Sequence, residues 1–366
     1  MEFSRYLDEL TRQRPPGGGQ ENLVVVELAV STNLLARGVA VDYESEGLEL
    51  APLLVVAFEQ SGGRGRQGRS WSSPRGRGVY ATLALRLAAP ELLQTLPLLV
   101  GVGLCRALSS HLAAGCRLKW PNDLLVETMA GSGPSPRWRK IGGILIEALV
   151  RPGSSTVALI GFGVNHGQRR DELPSAATSL RLLDSRSTPL AGHPAETKLV
   201  RAPGEGASPS PPEGWEGDRG VAGGDPIDAS SRPPPPRRSA FHRSGSAPPV
   251  GPELAENTEQ AGDAPGPPRA GGGPSDPWPG PPTLADLTWE LVGGVERELT
   301  HLGDSAYAVA AYRGFSIHRP GERMTLQVGA QLYEGTFAGF DEHGLLRLDQ
   351  DGREQLLSAG ELIEPS

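Results

Sequence analysis

The sequence predicts an α+β protein, with strands interleaved with helices in its first half and a small all-β tail after a long break. Three observations predict this. Short apolar runs bounded by Gly, Pro, Asn and Ser recur up to Asn165, as buried strands do. Two stretches, Leu92–Ala114 and Leu284–Leu299, are apolar for too long or at the wrong period to be strands and read as helices. From Arg323 onward, short alternating runs are separated by turn residues.

Taken in order, residues 1–22 form an N-terminal extension and Leu23–Leu28 is the first strand. Ser31-Thr32-Asn33 is placed to cap a helix that starts near Leu34. Leu53–Gln60 is a buried strand, followed by a Gly/Arg loop over Ser61–Arg69. Val79–Arg86 alternates, with Tyr80, Thr82, Ala84 and Arg86 on one face and Val79, Ala81, Leu83 and Leu85 on the other. Leu92–Ala114 is a long buried helix with a bend expected at Pro97. Arg117–Trp120, Lys140–Ala148 and Thr156–Val164 are three further strands, and Met129–Arg139 is a connecting loop.

The chain then changes character. More than half of its 35 prolines lie in 184–282, including Pro233–Pro236, among Gly, Ser and Arg. Such a stretch buries too little apolar surface to offset the entropy of ordering, so it reads as a disordered insertion and a solvated spacer. Helical spacing returns with Leu284, Leu287, Leu291, Val295 and Leu299, and a second helix covers Ser305–Tyr312. Arg323–Val328, Leu332–Phe340, Leu345–Asp349 and Glu354–Leu357 are short strands joined by tight turns, which suggests a small barrel.

Composition narrows the function. A chain of 366 residues with 37% hydrophobic residues is long enough for roughly two domains. The net charge of −8 argues against a general nucleic-acid binder, which needs a basic face. The two cysteines, Cys105 and Cys116, sit in no metal-binding spacing and read as buried free thiols in a reducing compartment. Met1–Gln20 lacks the basic start and apolar core of a secretory signal. Leu92–Ala114 is interrupted by Pro97, Arg106 and His111, so no membrane span is expected and the cytoplasm is the expected location.

Four segments carry chemistry. The first, Gly63-Arg64-Gly65-Arg66-Gln67-Gly68-Arg69-Ser70-Trp71, contains a literal GxGxxG. A dinucleotide site needs a helix immediately afterwards and an acidic residue about 20 positions on. Here Trp71-Ser72-Ser73-Pro74 follows, and that reading is rejected. Arginines among glycines instead present forked donors to phosphate or carboxylate on a backbone that approaches a ligand closely. Trp71 either stacks on a purine, packs over a closed loop or belongs to the core. The second segment, Lys119-Trp120-Pro121-Asn122-Asp123, ends a strand where Pro121 stops the ladder. Its Lys119 and Asp123 read equally as site residues or as a surface ion pair. The third, Lys140-Ile141-Gly142-Gly143-Ile144-Leu145-Ile146-Glu147, offers a point charge before two glycines that admit a ligand close to the strand. The fourth, Gly161-Phe162-Gly163-Val164-Asn165, ends on a carboxamide.

In this order, and with Ser31-Thr32-Asn33 and Glu59-Gln60 upstream, the four segments resemble the biotin–protein ligase family over Leu23–Leu183 and again from Leu284. Lipoate ligases share the fold with a different glycine-rich pattern. The resemblance implies a mixed-sheet, class II synthetase-like catalytic domain flanked by helices, built from 23–183 and 283–318, and an SH3-like domain over 319–366. It implies activation of biotin by ATP to biotinyl-5'-AMP and transfer to a lysine of a biotin carboxyl carrier protein, with Mg²⁺ accompanying ATP and no protein metal site. Ser31, Thr32, Asn33 and Gln60 would bond the ureido ring. Arg64, Gly65, Arg66 and Lys140 would meet the carboxylate and phosphate, with Gly142, Gly143 and Ile144 as pocket wall. Arg69, Trp71, Asn122 and Asn165 would serve the nucleotide. Lys140, Arg66, Asp123 and Lys119 would be catalytic, Asp123 by orienting or deprotonating the acceptor lysine.

Three departures from the family stand out. No winged helix-turn-helix is read before Leu23, so a monofunctional enzyme without DNA binding is expected, as a monomer or homodimer. The proline-rich stretch interrupts the catalytic domain, and His166 stands where an apolar residue is usual and reads as a partly exposed residue without a catalytic role. Two other functions fit the same fold: a lipoate or octanoate ligase or transferase, and a non-catalytic sensor of biotin or its adenylate.

Overall fold

A computed structural model describes residues 1–15, 22–128, 137–150, 156–183, 281–358 and 360–363. The proline-rich insertion read over 184–282 lies almost wholly outside the described residues, as does most of the loop read over 129–139.

The chain runs α1 (Phe3–Arg12), β1 (Asn22–Ala29), α2 (Thr32–Ser45), β2 (Leu53–Gln60), β3 (Gly78–Leu87), α3 (Leu96–Ser109), β4 (Arg117–Lys119), β5 (Asp123–Thr128), β6 (Arg137–Leu149), β7 (Thr156–Asn165) and the short α4 (Leu180–Leu183). After the insertion come α5 (Leu284–Leu299), α6 (Ser305–Phe315) and strands β8 (Arg323–Val328), β9 (Gln331–Phe340), β10 (Leu346–Gln350), β11 (Arg353–Leu357) and β12 (Glu361–Ile363).

Seven strands form one sheet in the order β1-β2-β3-β7-β6-β5-β4. Only β1 and β2 run parallel, and every other neighbour is antiparallel, which makes the sheet mixed as expected. The period of two sorts its side chains. Leu54, Val56 and Phe58 of β2 and Val79, Ala81 and Leu83 of β3 enter the large core with α3 and α5. Leu53, Val55 and Ala84 face α2 in a smaller core with Ala36 and Ala40. The two faces read from Val79–Arg86 are therefore both buried as far as Ala84, because α3 and α5 cover one and α2 the other, while Arg86 is exposed.

The remaining five strands form an antiparallel sheet in the order β11-β10-β9-β8-β12. Its apolar face, with Met324, Leu326, Phe337, Phe340, Leu346 and Leu348, joins the same core that α3 and α5 fill. One continuous core thus holds the C-terminal sheet against the helices.

Several local expectations need correction. Ser31 occupies the cap position of α2, but its side chain makes no capping bond, and Thr32 and Asn33 already lie inside the helix. Pro97 does not bend a long helix; it sits in the first turn of α3, where its missing N–H costs nothing. The segment before it is a short 3₁₀ turn, Pro90–Leu93. The residues read as an extension include α1, whose Tyr6 and Leu10 are buried. Trp289 Nε1 donates to Leu10 O at 2.8 Å, fastening α1 to α5. Strand β5 is a further addition, as is β12. Both cysteines are free and fully buried. Among the described residues no helix is long and apolar enough to cross a membrane.

Candidate active site

The loop between β2 and β3 folds back on itself. Gly65 N donates to Arg69 O at 2.7 Å and Trp71 N to Gly63 O at 2.9 Å, while Arg64 bridges Ser70. Gln67 and Gly68 turn the chain with φ of 55° and 73°. The loop then passes to β3 without a helix, in keeping with rejection of the dinucleotide motif.

Beneath the loop, β4 and β5 make a hairpin in which Lys119 pairs with Asp123. Its tip is Trp120-Pro121-Asn122. Asn122 is locked by two bonds to one residue: Ile144 N donates to its O at 3.0 Å, and its Nδ2 donates to Ile144 O at 2.9 Å.

Strand β6 contains the feature that aims the third motif. Leu124 pairs with Gly142, but Leu125 pairs with Lys140, so Ile141 is an extra residue. A bulge of this kind switches the side chain before it to the other face. Lys140 consequently lies on the same face as Gly143, with its Cε 3.4 Å from where a Gly143 Cβ would sit. Lys140 Nζ reaches Asp123 Oδ1 at 2.6 Å. Of the two readings for the second motif, the ion pair belongs to Asp123 and Lys140, inside a site. Lys140 is held from its other edge too, its N donating to Ala176 O and its O accepting from Thr178 N.

The glycines of the third and fourth motifs have a common explanation. Gly143 and Gly163 are register partners on β6 and β7. A Cβ on Gly163 would lie 2.6 Å from Trp71 Nε1, and one on Gly143 would lie 3.5 Å from Trp71 Cζ3. The indole packs closely against these two backbones, and Lys140 Nζ stands 5.5 Å from its ring centroid. Among the described residues, Trp71 Nε1 has no hydrogen-bond partner. The close approach read from these glycines is therefore made by a tryptophan of the chain. Gly161, two residues before Gly163 on the same face, leaves room for Asn33, whose Oδ1 would be 2.2 Å from a Cβ there.

These parts enclose a cavity of about 270 Å³. Ser31, Thr32 and Gln60 contribute hydroxyls and a carboxamide to it, and Arg64, Arg66, Arg69, Lys119 and Lys140 contribute cations. Gln60 is held rigidly: its Oε1 accepts from Thr32 N at 2.8 Å and its Nε2 donates to Ser73 Oγ at 2.8 Å. Arg66 makes a long 3.5 Å bond to Asn122 Oδ1. Burial pulls its guanidinium below the ordinary value, with the charge of Asp123 opposing that shift. A half-buried arginine so weakly bonded keeps its forked donors turned to the cavity, a geometry suited to an anion.

Three residues expected to contact ligand do not line the cavity. Asn33 is 3% exposed and donates to Leu145 O and Glu147, while its Oδ1 accepts from Thr82, so it braces the sheet one layer below. Gly142 faces away, toward Leu124 and Val164, because neighbouring strand residues point to opposite faces. Asn165 is also buried, donating to Thr178 O and accepting from Gln168. His166 lies outside the cavity, half-buried, with Nε2 2.7 Å from Pro282 O. Conversely, the motifs missed Gly360, Glu361 and Leu362, which bring β12 into the lining. Glu361 forms an ion pair with Arg69. Only the chain's three-dimensional path reveals this contact, since nothing near Glu361 resembles a motif. Among the described residues no cluster of three or more His, Cys, Asp or Glu stands ready for a metal.

Comparison with known proteins agrees with this architecture. Residues 41–165 match the biotin/lipoate A/B protein ligase family. The chain is 36% identical over 118 residues to the bifunctional ligase/repressor BirA of Escherichia coli, covering 32% of this chain and 34% of that protein. It is 39% identical over 134 residues to a biotin–[acetyl-CoA-carboxylase] ligase of Paracoccus denitrificans, covering 33% of this chain and 49% of that one. The chain thus spans a third to a half of the length of these curated relatives. In fold it is similar to the biotin protein ligase of Aquifex aeolicus solved with biotin and ATP, with a TM-score of 0.52 and 16% identity, covering 94% of this chain and 98% of that one. The mixed sheet with a separate C-terminal antiparallel sheet is the fold of that protein. Residues 41–165 thus resemble the biotin/lipoate A/B protein ligase family, and the relatives matched over this stretch are a ligase/repressor and a biotin–[acetyl-CoA-carboxylase] ligase.

Proposed function

We propose that the chain activates biotin with ATP and transfers it to a specific lysine of a biotin carboxyl carrier protein or domain. The observation that carries this reading is the mixed lining of the cavity, where Ser31, Thr32 and Gln60 stand with five cationic side chains. A neutral, hydrogen-bonding ring and a group of anions are what such a lining accepts.

The chemistry follows from the residues. A carboxylate acylates poorly, so its oxygen attacks the α-phosphorus, the bond to pyrophosphate breaks, and biotinyl-5'-AMP forms. That attack brings two anions together, and Lys140, Arg66 and Arg64 offset their repulsion most as charge builds on phosphorus. Arg69, Lys119 and Asn122 hold the nucleotide, and Trp71 offers its face beside Lys140. Closure of the 63–71 loop excludes water and protects the adenylate from hydrolysis. The acceptor lysine must arrive neutral; its amine attacks the acyl carbon and AMP leaves with its phosphate. Asp123, already a partner of Lys140, orients that amine. Mg²⁺ accompanies the triphosphate. The cavity's carboxylates Asp123 and Glu361 are each engaged by a cation, so such an ion would be held mainly by phosphate oxygens and water and would supply charge neutralisation of the leaving pyrophosphate. Asn33, Gly142 and Asn165 support the site from outside it. Residues 23–183 and 283–318 carry the catalytic part and 319–366 an SH3-like part that reaches the cavity through β12. The location we infer is the cytoplasm, and the working form a monomer or homodimer.

The test is to incubate the full chain with ATP, Mg²⁺ and a carboxyl-carrier domain, with biotin, lipoate or octanoate in parallel. Intact-mass spectrometry of the carrier then reads the product. ATP-dependent addition of biotin alone is the expected result. Addition of lipoyl or octanoyl instead would overturn the substrate, and biotin binding without pyrophosphate release would indicate a sensor.

A further inference from the structure

The connection between α6 and β8 runs along β4 and continues the large sheet for a few residues. Ser316 bridges Leu118 in parallel, and Ile317 N donates to Leu118 O at 2.9 Å. The next rung would be a backbone carbonyl accepting from Trp120 N. It is replaced by a side chain: Trp120 N donates to His318 Nε2 at 3.1 Å.

The imidazole that accepts this bond is itself fixed. Its side chain is 1% exposed. One edge packs on Phe337 of β9, with ring centroids 5.8 Å apart and planes at 63°. His318 N donates to Ser316 Oγ at 3.1 Å, setting the backbone that presents the ring. Nδ1 has no hydrogen-bond partner among the described residues and lies 3.9 Å from Glu322 Oε2. Burial, aided by the charge of Lys119, pushes the imidazole down to about 4, which keeps it neutral near pH 7. A neutral ring that accepts at Nε2 carries its hydrogen on Nδ1.

Trp120 is the centre of the hairpin tip that delivers Lys119, Asn122 and Asp123 to the cavity, and it is 4% exposed. Its indole also meets the backbone at Gly360, where a Cβ would lie 3.4 Å away, next to Glu361 of the lining. We propose that His318 is a positioning residue, holding the Lys119–Asp123 tip in register with the Arg/Gly loop through its acceptor bond to Trp120 N. The C-terminal sheet, through Phe337 and His318, thereby fixes one wall of a cavity to which His318 itself does not contribute.

Two measurements test this, and the second rests on the proposed ligase activity. In the full chain labelled with ¹⁵N-histidine, the ring shifts of His318, assigned by their loss in His318→Asn, should show Nε2 unprotonated and Nδ1 protonated at pH 7. The opposite tautomer would overturn the proposal whatever the enzyme's activity. In biotin- and ATP-dependent pyrophosphate exchange, His318→Leu, which offers no acceptor, should lose about tenfold or more in kcat. Its KM for biotin should stay within twofold, since Ser31, Thr32 and Gln60 are untouched. His318→Asn, whose Oδ1 can accept, should recover a large part of kcat at similar thermal stability. Equal loss in the Leu and Asn variants would overturn positioning through the acceptor, as would a lowered Tm with unchanged kcat. If His318→Leu does not fold, the Asn variant decides together with the tautomer. A parent chain without pyrophosphate exchange would count against the ligase reading, while the tautomer would still decide the role of His318.

Discussion

Lys140 and Asp123 are 17 positions apart in sequence, yet their charged atoms meet at 2.6 Å. What joins them is the single extra residue Ile141, which turns Lys140 toward the cavity instead of the core face that strict alternation would assign it. This explains why some of the site could be read from the sequence and some could not. Within the motifs, Lys140, Arg64, Arg66, Arg69 and Lys119 read as partners of anions, Gln60 as a partner of the ureido ring and Trp71 as a stacking or packing residue, and all line the cavity. Asn33, Gly142 and Asn165 belong to the same motifs, but the direction of each side chain depends on pleat and bulge, which residue identity does not encode. In Lys140→Ala, adenylate formation should fall by about 10²- to 10³-fold, the range found for removing one preorganised electrostatic contact. Asp123→Asn should spare adenylate formation more than transfer, because Asp123 is assigned to the acceptor amine. Single-turnover assays that separate pyrophosphate release from carrier labelling check both. Equal damage to the two steps in Asp123→Asn would remove Asp123 from the transfer step.

Strands β6 and β7 act together through Gly143 and Gly163, whose paired backbones make the bed for Trp71. Glycine in a strand interior weakens the strand unless something packs closely there, and here the indole does. A methyl group on Gly163 would overlap Trp71 Nε1, so Gly163→Ala should destabilise the fold by about 1–3 kcal/mol as the indole is forced off its bed. In a Trp71→Ala background the same substitution should cost little, and urea denaturation of the four proteins measures the coupling. A penalty that persists without Trp71 would mean that Gly163 serves some other contact. Elements whose pattern stands out locally were readable: β2 has the predicted bounds, and α5 follows its leucine repeat. β5 was not, because Leu124, Leu125 and Val126 are all buried in an interior strand and show no alternation. Nor was α1, where only Tyr6 and Leu10 are fully buried and the partner, α5, lies far along the chain.

Across the whole molecule, the core that runs from the large sheet through α3 and α5 into the C-terminal sheet encloses His318 as well as apolar groups. His318 is 6% exposed within it and His166 is half-buried. Burial lowers the pKa of both, His318 to about 4, while the unfolded chain titrates its histidines near 6.5. Below pH 6.5 the unfolded state therefore binds more protons than the folded one, and stability falls as pH falls. For His318 the loss accumulates from about pH 6.5 down to about 4, and it should reach about 2 kcal/mol between pH 7 and pH 5. His166 shifts in the same direction and adds to it. Paired carboxylates such as Asp171 and Glu354 are held below their ordinary range at the surface, so their stabilising contribution fades only at lower pH. Urea denaturation at pH 7 and pH 5 should thus show a lower midpoint at pH 5 for the parent and a smaller drop for His318→Asn, which has nothing to protonate there. Parallel drops in the two proteins would place the acid sensitivity elsewhere and contradict a neutral imidazole buried at the junction between the C-terminal sheet and the cavity.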